Sequence, residues 1–127
     1  MQDFRNLRVW QKAHALTLGV YEATKNFPSE ERCGISSQLR RSCASISANL
    51  AEGCARGSDI DFARFVNVAA ASASETDYHI LLARDLQYLD DTAYQHLFDQ
   101  ISEVRRMLNS FERTLRGNSE LLLANSQ

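Results

Sequence analysis

The chain has 127 residues, 44% hydrophobic and 24% charged, with one Pro, five Gly and a formal net charge of −2. That length suits one domain that folds without metal or disulfide support, and that hydrophobic content excludes a disordered chain. Strand-like Val/Ile/Thr alternation is nearly absent, no apolar run exceeds a few residues (Ile80-Leu81-Leu82-Ala83 is typical), and the Met1-Gln2-Asp3-Phe4-Arg5 start lacks a signal-peptide layout, so the expectation is an all-α cytoplasmic protein with no membrane partner.

The first helix is expected from Leu7 to Lys25, with Asn6 as N-cap. Trp10, Ala13, Thr17, Val20, Thr24 and Phe27 keep a three-four rhythm, widened by Val9 and Leu16, so one seam faces inward. Phe27-Pro28-Ser29 ends it, because the residue before Pro avoids helical geometry. Ser29-Glu30-Glu31 reads as a short helical start interrupted at Gly34.

The second helix is expected from Ser36 to Arg56, closed by Gly57. It carries two stripes. Ile35, Leu39, Cys43, Ile46 and Leu50 form an apolar seam, and Gln38, Arg41, Ser45, Asn49 and Glu52 form a polar file beside it. A file that narrow, next to small Ala44, Ala48 and Ala51, suggests polar groups held in specific contacts.

Ser58 or Asp59 caps a third helix running to about Leu89, some 45 Å at 1.5 Å per residue and long enough that one end projects or bends. Phe62, Phe65, Val66 and Ala69 form its first inward face, Ala69-Ala70-Ala71-Ser72-Ala73-Ser74 allows close helix approach, and Leu82, Leu86 and Leu89 close the far end. Ser72, Glu75 and His79 repeat the three-four rhythm. If that file faces the one on the second helix, Arg41 pairs with Glu75, and Ser45 or Asn49 bonds Ser72. Such contacts either fix helix register or line a pocket or subunit interface.

After Asp90-Asp91-Thr92, with Thr92 and Gln95 as a capping box, the fourth helix has the cleanest seam: Tyr94, Leu97, Ile101, Val104, Leu108, Phe111 and Leu115. Gly117-Asn118-Ser119 is expected to end it. Residues 1–116 then form one domain, and residues 117–127 a tail whose Leu121-Leu122-Leu123 docks on the bundle, binds a neighbour or stays loose. Four helices with short turns pack most simply as an antiparallel up-down-up-down four-helix bundle.

Catalytic signatures are missing. No Glu-x-x-His or His-Glu-x-x-His occurs, His14, His79 and His96 lie on three different helices, and no Gly-rich phosphate loop exists. No Ser stands near a His and a carboxylate in a recognisable layout, and no Arg precedes His79 or His96 by four to seven residues. The reading is no catalytic residues, no metal, no cofactor and no small-molecule substrate. Cys33, Cys43 and Cys54 are odd in number and read as reduced core residues; on one helix Cys43 and Cys54 would lie about 16 Å apart.

Charge is uneven. Residues 1–58 hold eight Lys/Arg against five Asp/Glu, a balance of +3, while residues 59–127 hold six against eleven, a balance of −5. Either the halves attract each other within the bundle or the first half presents a basic face. Arg outnumbers Lys 12 to 2, and Arg is the better bidentate binder of phosphate and carboxylate.

Phe4, Leu7, Val9-Trp10-Gln11-Lys12-Ala13, Tyr21 and Phe27-Pro28 resemble the opening of the bacterial 23S rRNA intervening-sequence proteins. Gln38-Leu39-Arg40-Arg41, Ser45-Ile46, Asn49-Leu50-Ala51-Glu52-Gly53 and Arg56 resemble their second helix, and Phe65, Ala69, Ala71-Ser72 and Glu75 their third, with Ala71 where Gly is expected. The resemblance spans about residues 4–116. It implies a four-helix bundle that assembles into a ring, a homopentamer, and kinship with the basic, nucleic-acid-binding accessory protein of diversity-generating retroelements. The implied function is a non-enzymatic protein that binds RNA or a ribonucleoprotein, with Arg8, Lys12, Arg40, Arg56 and Arg64 as candidate phosphate contacts. The alternative is a protein scaffold with no nucleic-acid contact.

Overall fold

The computed structural model describes residues 3–125, and among them the regular structure is entirely helical. A 3₁₀ turn at Phe4–Asn6 leads into α1 (Arg8–Thr24), and a second at Ser29–Glu31 leads into α2 (Ile35–Cys54). Then come α3 (Asp59–Asp85) and α4 (Asp91–Asn125). α1 packs on α2 and α4, and α3 packs on α2 and α4, so each helix has two neighbours, as in a bundle. The contacts of α3 with α2 and with α4 run in opposite sequence senses. Arg41 meets Glu75 while Gly53 meets Phe62, and Arg105 meets Asp77 while Phe62 meets Phe111.

The apolar seams meet in one core. Leu16, Leu39, Ile46, Leu50, Ile80, Ile101 and Leu108 are fully buried in it. α3 contributes mostly small groups: Ala63, Ala69, Ala73 and Ala83 are fully buried beside Val66 and Ile80, which lets the α2 and α4 backbones approach closely. Burying one Leu or Ile side chain stabilises by about 1.5–3 kcal/mol, so this seam dominates the fold. Among the described residues, no helix is long and apolar enough to cross a membrane.

Several ends differ from expectation, each for a local reason. Asn6 does not cap α1, because its backbone belongs to the 3₁₀ turn, whose own cap is Asp3 accepting from the Arg5 amide at 3.0 Å. α2 closes at Ala55, ahead of Gly57. Ser58 does cap α3, accepting from the Asp61 amide at 3.2 Å. α3 stops at Asp85, short of Leu89. Gln87 takes a left-handed φ of 65°, the Gln87 amide donates to the Arg84 carbonyl and the Tyr88 amide to that of Ala83, which makes a Schellman ending. That break leaves Leu86 exposed while Leu89 is buried.

Asp90, not Thr92, caps α4, accepting from the Ala93 amide at 2.7 Å. α4 continues through Gly117 and Asn118. A helix tolerates one Gly at about 1 kcal/mol, no Pro follows, and Glu120 through Ala124 are strong helix formers. At 35 residues, roughly 52 Å, α4 rather than α3 is the longest helix, and its last turns carry Leu121, Leu122 and Leu123, each at least 60% exposed. Cys43 and Cys54 are buried as expected of core thiols, but Cys33 is exposed in the turn before α2.

Candidate functional site

The α2 polar file and its α3 counterpart face one another. At the outer edge Arg41 donates to Glu75 at 2.5 Å and to the Gln38 side-chain oxygen at 2.9 Å. One turn on, the Ser45 and Ser72 hydroxyls lie 2.9 Å apart, and Asn49 Nδ2 donates to the Ser45 carbonyl at 2.8 Å and its hydroxyl at 3.0 Å. Glu52 stands apart from this cross-helix set, accepting from Arg56 on its own helix at 2.9 Å.

Deeper in, the spacing misses a layer. Ser42 and Thr76 are fully buried with their hydroxyls 3.0 Å apart; Thr76 Oγ1 also lies 2.8 Å from the Ser72 carbonyl, and Ser42 Oγ 3.3 Å from that of Leu39. His79 Nδ1 sits 3.5 Å from Ser42 Oγ, and His79 Nε2 sits 3.9 Å from Glu75. Desolvation by burial pulls the His79 pKa below its ordinary value, the Glu75 carboxylate opposes that pull and Arg41 adds to it, so the ring is neutral near pH 7.

Ser, His and Glu therefore do come together, contrary to the sequence expectation. Partners on two different helices leave no common motif in the chain. The chemistry of a nucleophile is nonetheless missing. Ser42 is fully buried, its hydroxyl is engaged with carbonyl and hydroxyl partners, and a substrate carbonyl has no route to it. The arrangement satisfies buried hydroxyls, each bond contributing about 0.5–1.5 kcal/mol net. The exposed Arg41–Glu75 pair adds under about 1 kcal/mol.

The five candidate phosphate contacts do not gather on one patch. Arg40 and Arg56 are 16 positions apart on α2, roughly 24 Å along its axis. Lys12 reaches across to Glu103 on α4 at 3.2 Å, and Arg64 pairs with Asp61 at 3.2 Å. Arg56 lies over the Phe65 ring at 4.6 Å while bound to Glu52. Arg8 is exposed at the rim of an α1–α4 groove with Arg106, Met107 and Phe111.

Arg40 differs from these in having only neutral partners. Its guanidinium lies 4.6 Å above the Tyr21 ring, its Nε donates to Thr24 Oγ1 at 2.7 Å, and Nη2 donates to the Tyr21 carbonyl at 3.3 Å. It borders a cleft of about 590 Å³ between the end of α1 and the start of α2, which Lys25, Arg32 and Arg41 also line. Lys25 and Arg32 escape a search for helical stripes because Lys25 closes α1 and Arg32 lies in the turn before α2. Among the described residues no three His, Cys, Asp or Glu side chains gather as a metal site.

A family model described as 23S rRNA-intervening sequence protein matches residues 5–110. The chain belongs to that family. This bears out the resemblance, and the matched stretch contains the whole α2–α3 polar contact and the Arg40 cleft. A crystal structure of a protein with unknown function from the S23 ribosomal protein family, from Bacteroides thetaiotaomicron VPI-5482, aligns with a TM-score of 0.74 at 26% identity, covering 82% of this chain and 97% of that one. A comparison with curated proteins finds no match.

Proposed function

We infer that this protein is a non-enzymatic, ring-forming helical bundle of the cytoplasm that binds RNA or a ribonucleoprotein. The observation that carries the reading is Arg40, an oriented guanidinium with no carboxylate partner in a cleft lined by three more cations. The family's description in terms of 23S rRNA supports it. The opposite sense of the contacts of α3 with α2 and with α4 supports an up-down-up-down antiparallel topology, and the resemblance supports a homopentamer. On this reading the Gln38, Arg41, Ser45, Asn49, Ser72 and Glu75 contacts lock helix register, and nucleic acid meets the arginines beside them.

Filter-binding titrations of the intact protein against a structured and a single-stranded RNA test the reading. Retention that weakens steeply with salt is expected. No retention at low salt by the intact oligomer contradicts it.

The second reading is a protein scaffold, favoured by Leu121, Leu122 and Leu123 at the projecting end of α4. If it holds, deleting residues 117–127 abolishes partner capture in a pull-down, and RNA is not retained.

A further inference from the structure

We propose that the cleft between the C-terminal end of α1 and the N-terminal end of α2 binds a phosphate group, with Arg40 as its clamp and Arg32 as its second cation. Resting on the RNA-binding reading, its occupant is a backbone phosphate of an RNA strand.

The cleft, about 590 Å³, is lined by Lys25, Arg32, Arg40 and Arg41, and no carboxylate is among the described residues lining it. Lys25 and Arg41 are already engaged, Lys25 with Glu22 at 3.0 Å and Arg41 with Glu75. Arg32 has no hydrogen-bond or ion-pair partner for its guanidinium among the described residues, and Arg40 has only neutral ones.

Arg40 is built as a clamp. Five N–H groups leave a guanidinium, and two of them are committed, to Thr24 Oγ1 and the Tyr21 carbonyl. Its position 4.6 Å over the Tyr21 ring adds a cation–π contact to those two bonds. The three remaining donors include both on Nη1, so the outer edge is free for the bidentate contact that a phosphate accepts. Much of the ordering entropy of a long side chain is already spent before a ligand arrives. Ser36 and Ser37 line the same cleft beside the charges. An exposed arginine held by a carboxylate, such as Arg64 on Asp61, must give up that partner to bind phosphate; Arg40 and Arg32 need not.

The test uses the full-length protein, a fluorescent RNA hairpin and inorganic pyrophosphate. Arg32→Gln and Arg40→Gln are compared with Arg116→Gln, whose arginine is paired with Glu112 at 3.0 Å away from the cleft, all checked by thermal unfolding. Arg32→Gln holds no structural contact, so it reports on binding even if loss of the Thr24 contact weakens the fold in Arg40→Gln. The expected result is about a three- to tenfold loss of RNA affinity for each cleft variant, with the log–log salt slope reduced by about 0.7 to 0.9, and little change for Arg116→Gln. Arg40→Lys keeps the charge but loses the fork, and is expected to recover only part of the affinity.

Undiminished RNA binding by both cleft variants overturns the cleft while leaving RNA binding intact. A wild-type protein that ignores the hairpin but gains thermal stability with pyrophosphate, in a manner lost in Arg32→Gln, overturns the RNA-binding reading and keeps the cleft as a site for free phosphate. Silence toward both ligands overturns both.

Discussion

Thr76 Oγ1 on α3 lies 3.0 Å from Ser42 Oγ on α2, and both residues are fully buried. Each hydroxyl also has a carbonyl of its own helix within reach, Ser72 for Thr76 and Leu39 for Ser42. Neither is stranded if the other is lost. Ser42→Ala and Thr76→Val are each expected to destabilise by about 1 kcal/mol, and the double variant by less than the sum, because the shared bond is removed only once. Urea unfolding of the four proteins gives the coupling; strict additivity would show that the two hydroxyls do not interact.

At Gly53, α2 approaches α3 closely. A Cβ placed there would stand 2.8 Å from Phe62 Cδ1 and 2.8 Å from Phe65 Cβ. Ala is the better helix former by about 1 kcal/mol, yet overpacking costs roughly 1–3 kcal/mol, and here the clash wins because Phe62 is itself held against Phe111. Gly53→Ala is expected to lower the unfolding midpoint. An unchanged or higher midpoint sinks the close-approach argument.

The ending of α3 contains a reserve of stability. Gln87 holds φ at 65°, a region that costs a side-chain-bearing residue energy and costs Gly nothing. Gln87→Gly is expected to raise stability by about 0.5–1 kcal/mol, reduced by the greater freedom of Gly in the unfolded chain. Chemical denaturation of the variant reads this directly, and a loss of stability would count against it.

His79 should make the fold acid-sensitive. Its folded pKa is lowered, chiefly by burial, so the unfolded state binds the proton more readily. The contribution is fully present above the unfolded value near 6.5 and is lost as pH falls through it toward the folded pKa. His79→Gln is expected to flatten the fall in stability as pH drops below the unfolded value near 6.5, relative to the parent. Parallel profiles for the two proteins would remove His79 as the cause.

The architecture is legible in the chain because it rests on periodicity. Leu97, Ile101, Val104 and Leu108 can only be the buried stripe of a helix, and Leu39, Cys43, Ile46 and Leu50 behave alike. The polar pairing is partly legible: the spacing points to Arg41 with Glu75 and Ser45 with Ser72, and those side chains meet. Ser42 is harder to find, since it falls between the apolar seam and the polar file and its partners Thr76 and His79 lie more than thirty positions away. Helix ends resist reading because they depend on single backbone angles and one competing cap. Gln87 breaks α3 without being Gly, Asp90 outcompetes Thr92, and Gly117 fails to stop α4. The cleft is hidden for another reason: Lys25 and Arg32 sit at turns, where no stripe reveals which side chains will converge with Arg40.

The most direct test of the central claim is light scattering on the intact protein, eluted at low salt with and without an RNA hairpin and followed by its absorbance ratio. The account predicts one species of five 14.3 kDa chains that gains mass and ultraviolet absorbance when RNA is added. A 14.3 kDa monomer that elutes apart from the RNA would contradict it.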